Sequence, residues 1–444
     1  MITIRSNKVR WVISGLLALL ILFGTYRNVF SLAAFLIMGL MLVFCDKETN
    51  LLQIFFIMPL ANIFKMSVDA QSFFTIVILA YVVLHMVLPR KATLIVMLFA
   101  FYIIIGQLFS GEFHLFRTIK LICNFLFLSS ILNDKVSIKD KEVFFSYIIG
   151  NLVSSVFGLF DSSYFKIDNY IGAKEISSSV DGGVVARFTG LYVDPNYYAV
   201  GIIISLCLVV ILFYKKELNG VFFVAMSISF IYFLILTYSK SAVIMLILPF
   251  VLLIYMFYKE KKYFAIIASI FLVIVVVMLV FTGWVDAFDI VIERFTKSET
   301  ADGVDINTLT TGRFDLWLMY SEYLIKNIDI GFFGGGIAFS LLEGVAAHNT
   351  YIDLFYYLGV FGGLLLLAIL FTISEQSRKI DFKRNIMNYS VIICIVIMYF
   401  FLSELFYFDP PFHIYLAIIV LNTPMGITKN DNGYKENQPR YSVV

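Results

Sequence analysis

Apolar runs broken by short polar connections fill most of this chain. They extend over about Trp11 to Phe23, Val29 to Cys45, Leu51 to Phe64, Phe73 to Leu88, Leu94 to Phe109, Leu115 to Leu132 and Val143 to Phe160. Further runs cover Tyr197 to Tyr214, Val221 to Leu236, Ala242 to Tyr258, Tyr263 to Thr282, Tyr351 to Ile373, Tyr389 to Leu402 and Phe412 to Leu421. A bilayer-spanning helix needs roughly 20 predominantly apolar residues, and several runs fall short, so about 12 to 14 transmembrane helices are predicted. The first run is followed at once by a second, with no small-residue cleavage motif between them, and reads as an uncleaved first helix.

Two connections are long, residues 161–195 and 283–347. Function on a membrane scaffold gathers on such loops. In the second, Trp284, Phe288, Val291 and Phe295 recur at helical spacing opposite Asp286, Asp289 and Glu293, which predicts an amphipathic helix on the outer leaflet. Phe314, Trp317, Leu318 and Leu324 predict a second surface helix, followed by Gly331, Gly334, Gly335 and Gly336. No strand precedes these glycines, so they form no dinucleotide fingerprint and read as a flexible turn folding the loop back over the membrane.

Composition agrees with the pattern: 61% of residues are hydrophobic and 14% charged, against an apolar share near one half in soluble domains. The reading is an all-α polytopic membrane protein with one transmembrane domain, residues 1–428, and a disordered cytoplasmic tail, 429–444. With a cytoplasmic amino terminus, inside segments carry 21 of the 33 Lys and Arg, which places both termini in the cytoplasm and both long loops outside. A net charge of +2 gives no reason to expect nucleic acid as a partner. Cys45, Cys123, Cys207 and Cys394 all lie in apolar runs and read as core packing.

Ionisable groups near membrane depth cost roughly 2.5–3.5 kcal/mol each, so those outside the cytoplasmic loops are the candidates for chemistry. Arg117 and Lys120 sit near the outer end of the sixth run, with Glu112 and His114 just before them; snorkelling and an ion pair with Glu112 would explain them. Lys240 occupies a short hairpin, Thr237 to Ser241, at the outer boundary, and Arg187 precedes Asp194 and Pro195, which read as N-cap and first residue of the next helix. With Arg313 they supply cations on three outward segments, a place for an anion such as a pyrophosphate.

His348 and Asn349 end the second long loop. A histidine there can cap or line the interface, or take a proton from a hydroxyl as general base. On a continuous helix, offsets of 11 and 14 residues would put Gly359 and Gly362 within about 40° of His348, on a seam for close packing. His85 and His413 read as helix or interface residues. No pair of histidines has metal-ligand spacing, and neither metal nor cofactor is expected.

These residues resemble the bacterial O-antigen ligase and Wzy-type O-antigen or capsular polysaccharide polymerase superfamily of membrane glycosyltransferases. His348, Asn349, Gly359 and Gly362 fit the ligase pattern of histidine, a polar residue and two spaced small residues. The segment GLYVDPNYYA, with Gly190, Asp194, Pro195, Asn196 and Ala199, is similar to the family's entry into a helix, as is TGRFDLW, with Gly312, Arg313 and Trp317, to the later part of its external loop. TYSKSA resembles its Ser-Arg hairpin with Lys240 in place of Arg.

The resemblance covers about residues 110 to 375 and implies a GT-C-like fold and inverting, metal-independent transfer from an undecaprenyl-pyrophosphate-linked glycan to an acceptor at the outer face of the cytoplasmic membrane. It implies His348 as base, Arg187, Arg313 and Lys240 on the pyrophosphate, and supporting places for Asn349, Asp194, Asn196, Arg117 and Lys120. The bilayer, glycan donor and acceptor are the implied partners, with a chain-length regulator as a further candidate. Two long external loops and the Asp-Pro-Asn match lean towards a polymerase. A ligase acting on a lipid A core is the alternative, and a lipid-linked oligosaccharide flippase the alternative of another class.

Overall fold

The computed structural model describes residues 7–85, 90–110, 115–133, 140–160, 167–171, 175–177, 184–239, 245–246, 299–300, 303–304, 313–336, 341–376 and 388–400. These are mostly helical. The long helices of the first half are α1 (Asn7–Gly24), α2 (Asn28–Phe44), α3 (Lys47–Ile57), α4 (Phe73–His85), α5 (Arg90–Ser110), α6 (Leu115–Asn133) and α7 (Asp140–Phe157). Within the first long loop, a short α8 (Ile167–Ile171) precedes an antiparallel hairpin of β1 (Glu175–Ser177) and β2 (Val184–Ala186). Then come α9 (Pro195–Tyr214), α10 (Gly220–Ile235), a two-residue hairpin of β3 (Glu299–Thr300) and β4 (Gly303–Val304), α11 (Arg313–Lys326), α12 (Ile328–Phe333), α13 (Thr350–Gln376) and α14 (Asn388–Tyr399).

Among the described residues two helices, Pro195–Tyr214 and Thr350–Ile369, are long and apolar enough to cross a membrane, and five shorter helices are apolar as well. The first of these, α9, is apolar all round and almost wholly buried from Tyr197 to Leu212, as expected of a helix at the centre of a bundle. It packs against α7, α10 and α14. Cys207 of α9 lies beside Cys394 of α14, with Sγ atoms 4.0 Å apart and no disulfide, so both cysteines pack as small apolar residues.

The ends of the bundle are chemically distinct. At one end Arg10 of α1 reaches Glu48 of α3 at 3.3 Å and Glu142 of α7 at 3.0 Å. Below it Ser14 donates to Gln53 Oε1, whose amide returns a bond to the Arg10 carbonyl. These starts of α1, α3 and α7 are segments that alternation of loops assigns to one membrane side. At the other end Asn62 donates to the Leu191 carbonyl, and Leu191 N–H to Ser154 Oγ, tying the turn after α3 and the end of α7 to the entry of α9.

Two apolar runs differ from their predicted form. Leu51 to Phe64 is no single span: α3 stops at Ile57, a 3₁₀ turn takes Met58–Leu60, and turns follow to Phe64. Pro59 has no N–H to continue the helical ladder and its ring crowds the preceding turn. The run from Tyr351 is interrupted at Gly359, whose φ of 63° and ψ of −176° lie outside the helical region. The predicted amphipathic helix at 284–295, the runs from Tyr263 and Phe412, and the tail lie outside the described residues.

Candidate active site

Arg187 leaves β2 at the mouth of α9 and is held by backbone and side chain alike. Its Nε donates to the Thr237 carbonyl at 2.9 Å and one terminal nitrogen to Asn196 Oδ1 at 3.2 Å. Phe188 N–H bonds the Leu236 carbonyl alongside. Leu236 and Thr237 follow the last turn of α10, where carbonyls have no intrahelical partner and a helix end favours positive charge. The chain thus uses at least two of the N–H donors of Arg187 to fix the plane of its guanidinium.

Asn196 is the junction of this group. Besides Arg187 it accepts Ser239 Oγ–H at 2.8 Å, so one amide oxygen joins the loop arginine, the start of α9 and the hairpin after α10. Asp194 caps α9, accepting Asn196 N–H at 2.7 Å, with Pro195 in the first turn. Gly190, at φ 54°, lets the chain turn under the Tyr198 ring. In the hairpin Tyr238 also has positive φ, 47°; burial, with the neighbouring Tyr232 phenol adding, pushes its hydroxyl up, so it stays a neutral donor at neutral pH.

A second group forms where the long loop enters α13. Trp317 Nε1–H bonds the Ala347 carbonyl at 3.1 Å and Tyr320 Oη–H the Val345 carbonyl at 2.7 Å. The Tyr320 ring is fully buried and packs edge-on against Tyr356 of α13, 4.9 Å between centroids. Arg313 starts α11 one turn before Trp317, and residues four apart share a helix face. Asn349 caps α13 through Tyr351 N–H at 3.0 Å and Ile352 N–H at 3.2 Å.

His348 is therefore fixed on both sides, by the tether at Ala347 and the cap at Asn349. It is exposed and has φ 50°. A non-glycine residue in that region costs on the order of 1–3 kcal/mol and persists only where its surroundings impose it. His348 precedes the helix instead of belonging to it, and α13 breaks at Gly359, so the proposed alignment of His348 with Gly359 and Gly362 on one continuous helical face does not hold.

At the break the glycine cluster of the loop docks onto α13. Gly335 N–H bonds the Tyr356 carbonyl at 2.8 Å and Gly336 N–H the Tyr357 carbonyl at 2.9 Å. Tyr102 Oη of α5 lies 2.7 Å from the Leu358 carbonyl and 2.6 Å from that of Phe333. Three successive carbonyls released by the break are thereby partnered, as an interrupted helix in an apolar setting requires. The predicted flexible turn is in this sense a packed one. Gly362 meets the Tyr102 ring and keeps its expected packing role.

The other candidates are spread out. Lys120 is half-buried in α6, whereas the Arg117 side chain, Glu112, His114 and Lys240 lie outside the described residues. His85 is a core residue, within hydrogen-bond distance of Asn50 and the Leu42 carbonyl. Among the described residues no group of three His, Cys, Asp or Glu could hold a metal ion. Between the helices that carry the two groups, α14 packs on α9 and accepts Tyr351 Oη–H of α13 at the Val396 carbonyl, 2.9 Å away.

Against known families, residues 225–367 match the model described as O-antigen ligase. The matched segment is similar to an O-antigen ligase domain. It begins inside α10 and ends inside α13, enclosing Ser239, Arg313, His348 and Asn349; Arg187, Asp194 and Asn196 precede it and join it through Thr237 and Ser239. A curated relative, the ComP-specific O-oligosaccharyltransferase of Acinetobacter baylyi, is 27% identical over 309 residues, 65% of this chain and 54% of that protein. The chain thus spans about half the length of the curated relative it matches. No solved structure matches it.

Ser239, Tyr320 and Tyr102 hold these polar groups in place, and no local pattern in the sequence marks any of the three. Ser239 stood beside the more conspicuous Lys240, and Tyr102 carries no local signal, since its acceptors are over 200 residues away. Asn196→Ala should weaken transfer by raising KM for the donor about tenfold, with kcat changed less, because it frees the guanidinium without removing it; steady-state kinetics over donor concentration would show this. Arg187→Lys should lose more, a point charge being unable to make both Thr237 and Asn196 contacts.

Proposed function

We propose that the chain moves an oligosaccharide from an undecaprenyl-pyrophosphate carrier to an acceptor hydroxyl at the outer face of the bacterial cytoplasmic membrane, as a multi-pass, GT-C-like protein with both termini inside. The observation that carries this is His348, exposed at positive φ and fixed between the Trp317 tether and the Asn349 cap. Its imidazole takes the acceptor's hydroxyl proton as the oxygen bonds the anomeric carbon. The carbon–oxygen bond to the pyrophosphate breaks on the opposite face, inverting the centre. Charge then develops on the departing phosphate, for which Arg187, Arg313 and Lys240 are the counterparts. Positioning of these groups supplies the remaining rate enhancement.

The ligase-type reading is favoured by the O-antigen ligase match and by a relative named for oligosaccharide transfer. Polymerisation is the second reading, favoured by the two long loops and the Asp194-Pro195-Asn196 entry. Purified chain given a defined undecaprenyl-pyrophosphate oligosaccharide decides between them. A single block moved onto a glycolipid core or a protein hydroxyl supports ligation, and a ladder of lengthening lipid-linked glycans supports polymerisation. Movement of the carrier across the bilayer with no new glycosidic bond would overturn both in favour of a flippase.

A further inference from the structure

The segment between α11 and α13 is docked well below the ends of the helices it touches. On α13, Gly335 and Gly336 bond the Tyr356 and Tyr357 carbonyls, six and seven residues past Thr350, which is about 9–10 Å along the apolar stretch Thr350–Ile369. On α5, the Phe333 carbonyl lies 2.6 Å from Tyr102 Oη, and Tyr102 stands eight residues before Ser110, about 12 Å from that end of the helix. Gly336 also packs on Gly106 of α5, so closely that an added Cβ would stand 3.0 Å from the Gly106 carbonyl. Leu342 N–H then bonds Tyr320 Oη and Asn349 caps α13, so the chain leaves and returns at the same end of the bundle.

At that depth α12 presents aromatic rings outward. Phe333 is 60% and Phe332 47% exposed. Phe333 stacks on Phe361, 5.3 Å between centroids, and Phe361 opens the exposed apolar side of α13 that continues through Leu364, Leu367 and Phe371. Charge is kept to the other end: Asp329 stands in the first turn of α12, and Lys326 pairs with Glu322 at 3.3 Å in the last turn of α11. A segment that passes from headgroups into acyl chains needs this order, because charge is costly at membrane depth and exposed rings are costly in water. The backbone meets the remaining condition. Gly335 and Gly336 are buried with their N–H groups paired, and irregular backbone persists at membrane depth only where protein covers it.

We propose that α12 is a re-entrant wedge in the outer leaflet, with Phe332 and Phe333 against phospholipid acyl chains. Continuity selects this occupant: the two rings share their level and their neighbour, Phe361, with the exposed side of a helix apolar enough to cross the same leaflet. The bilayer thereby holds the loop from which Trp317 tethers Ala347 beside His348. The assignment rests on the multi-pass reading with this loop outside and is independent of the transfer chemistry.

Spin labelling of full-length chain in phospholipid nanodiscs tests it, the four native cysteines being buried. Labels are placed at Phe333→Cys and, independently, at Phe332→Cys, with Leu364→Cys on the exposed side of α13 and Glu322→Cys on α11 as references. The ratio of collisions with oxygen to collisions with a charged, water-soluble nickel chelate should match that at Leu364→Cys and exceed that at Glu322→Cys about tenfold, because a charged complex is excluded from acyl chains. A ratio like that at Glu322→Cys would put α12 in water and overturn the wedge. Labels shielded from both reagents would replace lipid by a protein neighbour and overturn it as well. Glycan transfer is no part of this readout, so an inactive chain with lipid-exposed labels would leave the wedge standing and remove the proposed function.

Discussion

His348→Ala should lower the transfer rate by about 10²–10⁴-fold, the usual loss for a positioned general base, while the protein remains folded. His348→Gly is the more telling variant. Glycine reaches φ 50° without the Cβ crowding that a histidine endures, so it should match alanine in activity and be more stable than wild type by about 1 kcal/mol. A capping or interfacial histidine would behave otherwise, since the N-cap bonds to Tyr351 and Ile352 come from Asn349. Transfer assays and thermal unfolding on the same preparations separate the two. A glycine variant within a few-fold of wild-type activity would remove His348 as the base.

The parts of this site that were legible in the sequence are those governed by neighbours in the chain. Asp194 before Pro195, and Asn349 before a long apolar run, announce helix starts because a short polar side chain serves the first free N–H groups wherever it stands, and both caps are present. Phe314, Trp317, Leu318 and Leu324 at helical spacing likewise predicted α11. What the sequence could not carry is the pairing of distant segments. Arg187 reads as an exposed loop cation, and only the fold brings it to the Thr237 carbonyl fifty residues on. The same holds for α13. Tyr357 to Gly363 contains no proline and reads as unbroken apolar helix, so the seam geometry assumed a continuity that the loop glycines override from outside. Pro59 was the opposite case, a local stop inside an apolar run that hydropathy alone smoothed over.

Gly359→Ala should be among the most damaging single substitutions in the described part of the chain. At φ 63° and ψ −176° the backbone occupies a region open essentially to glycine alone, which by itself costs an L-residue about 1–3 kcal/mol. An added Cβ would also strike backbone, the Phe332 carbonyl and Gly334 N–H, which unlike a side-chain tip cannot swing aside. Relief requires α12 to lift from α13, and the Tyr356 and Tyr357 carbonyls then lose Gly335 and Gly336, at about 1–3 kcal/mol for each buried acceptor left unmade. The sum is a destabilisation of about 4 kcal/mol or more, large for one methyl group. Gly362→Ala is the comparison three residues away: its added Cβ would also crowd, at 2.7 Å from Leu358 Cβ and from the edge of the Tyr102 ring, but its backbone is helical, it strikes no backbone atom of the docked loop, and alanine favours the helix by about 1 kcal/mol. Thermal unfolding should therefore rank Gly359→Ala far below Gly362→Ala, with proteolysis of residues 328–336 rising in the first. Equal stability of the two would mean that the loop glycines do not hold the break. Because α12 follows directly on α11, lifting it also slackens the Trp317 tether at Ala347, so whatever Gly359→Ala protein survives should transfer more slowly than its folded fraction accounts for.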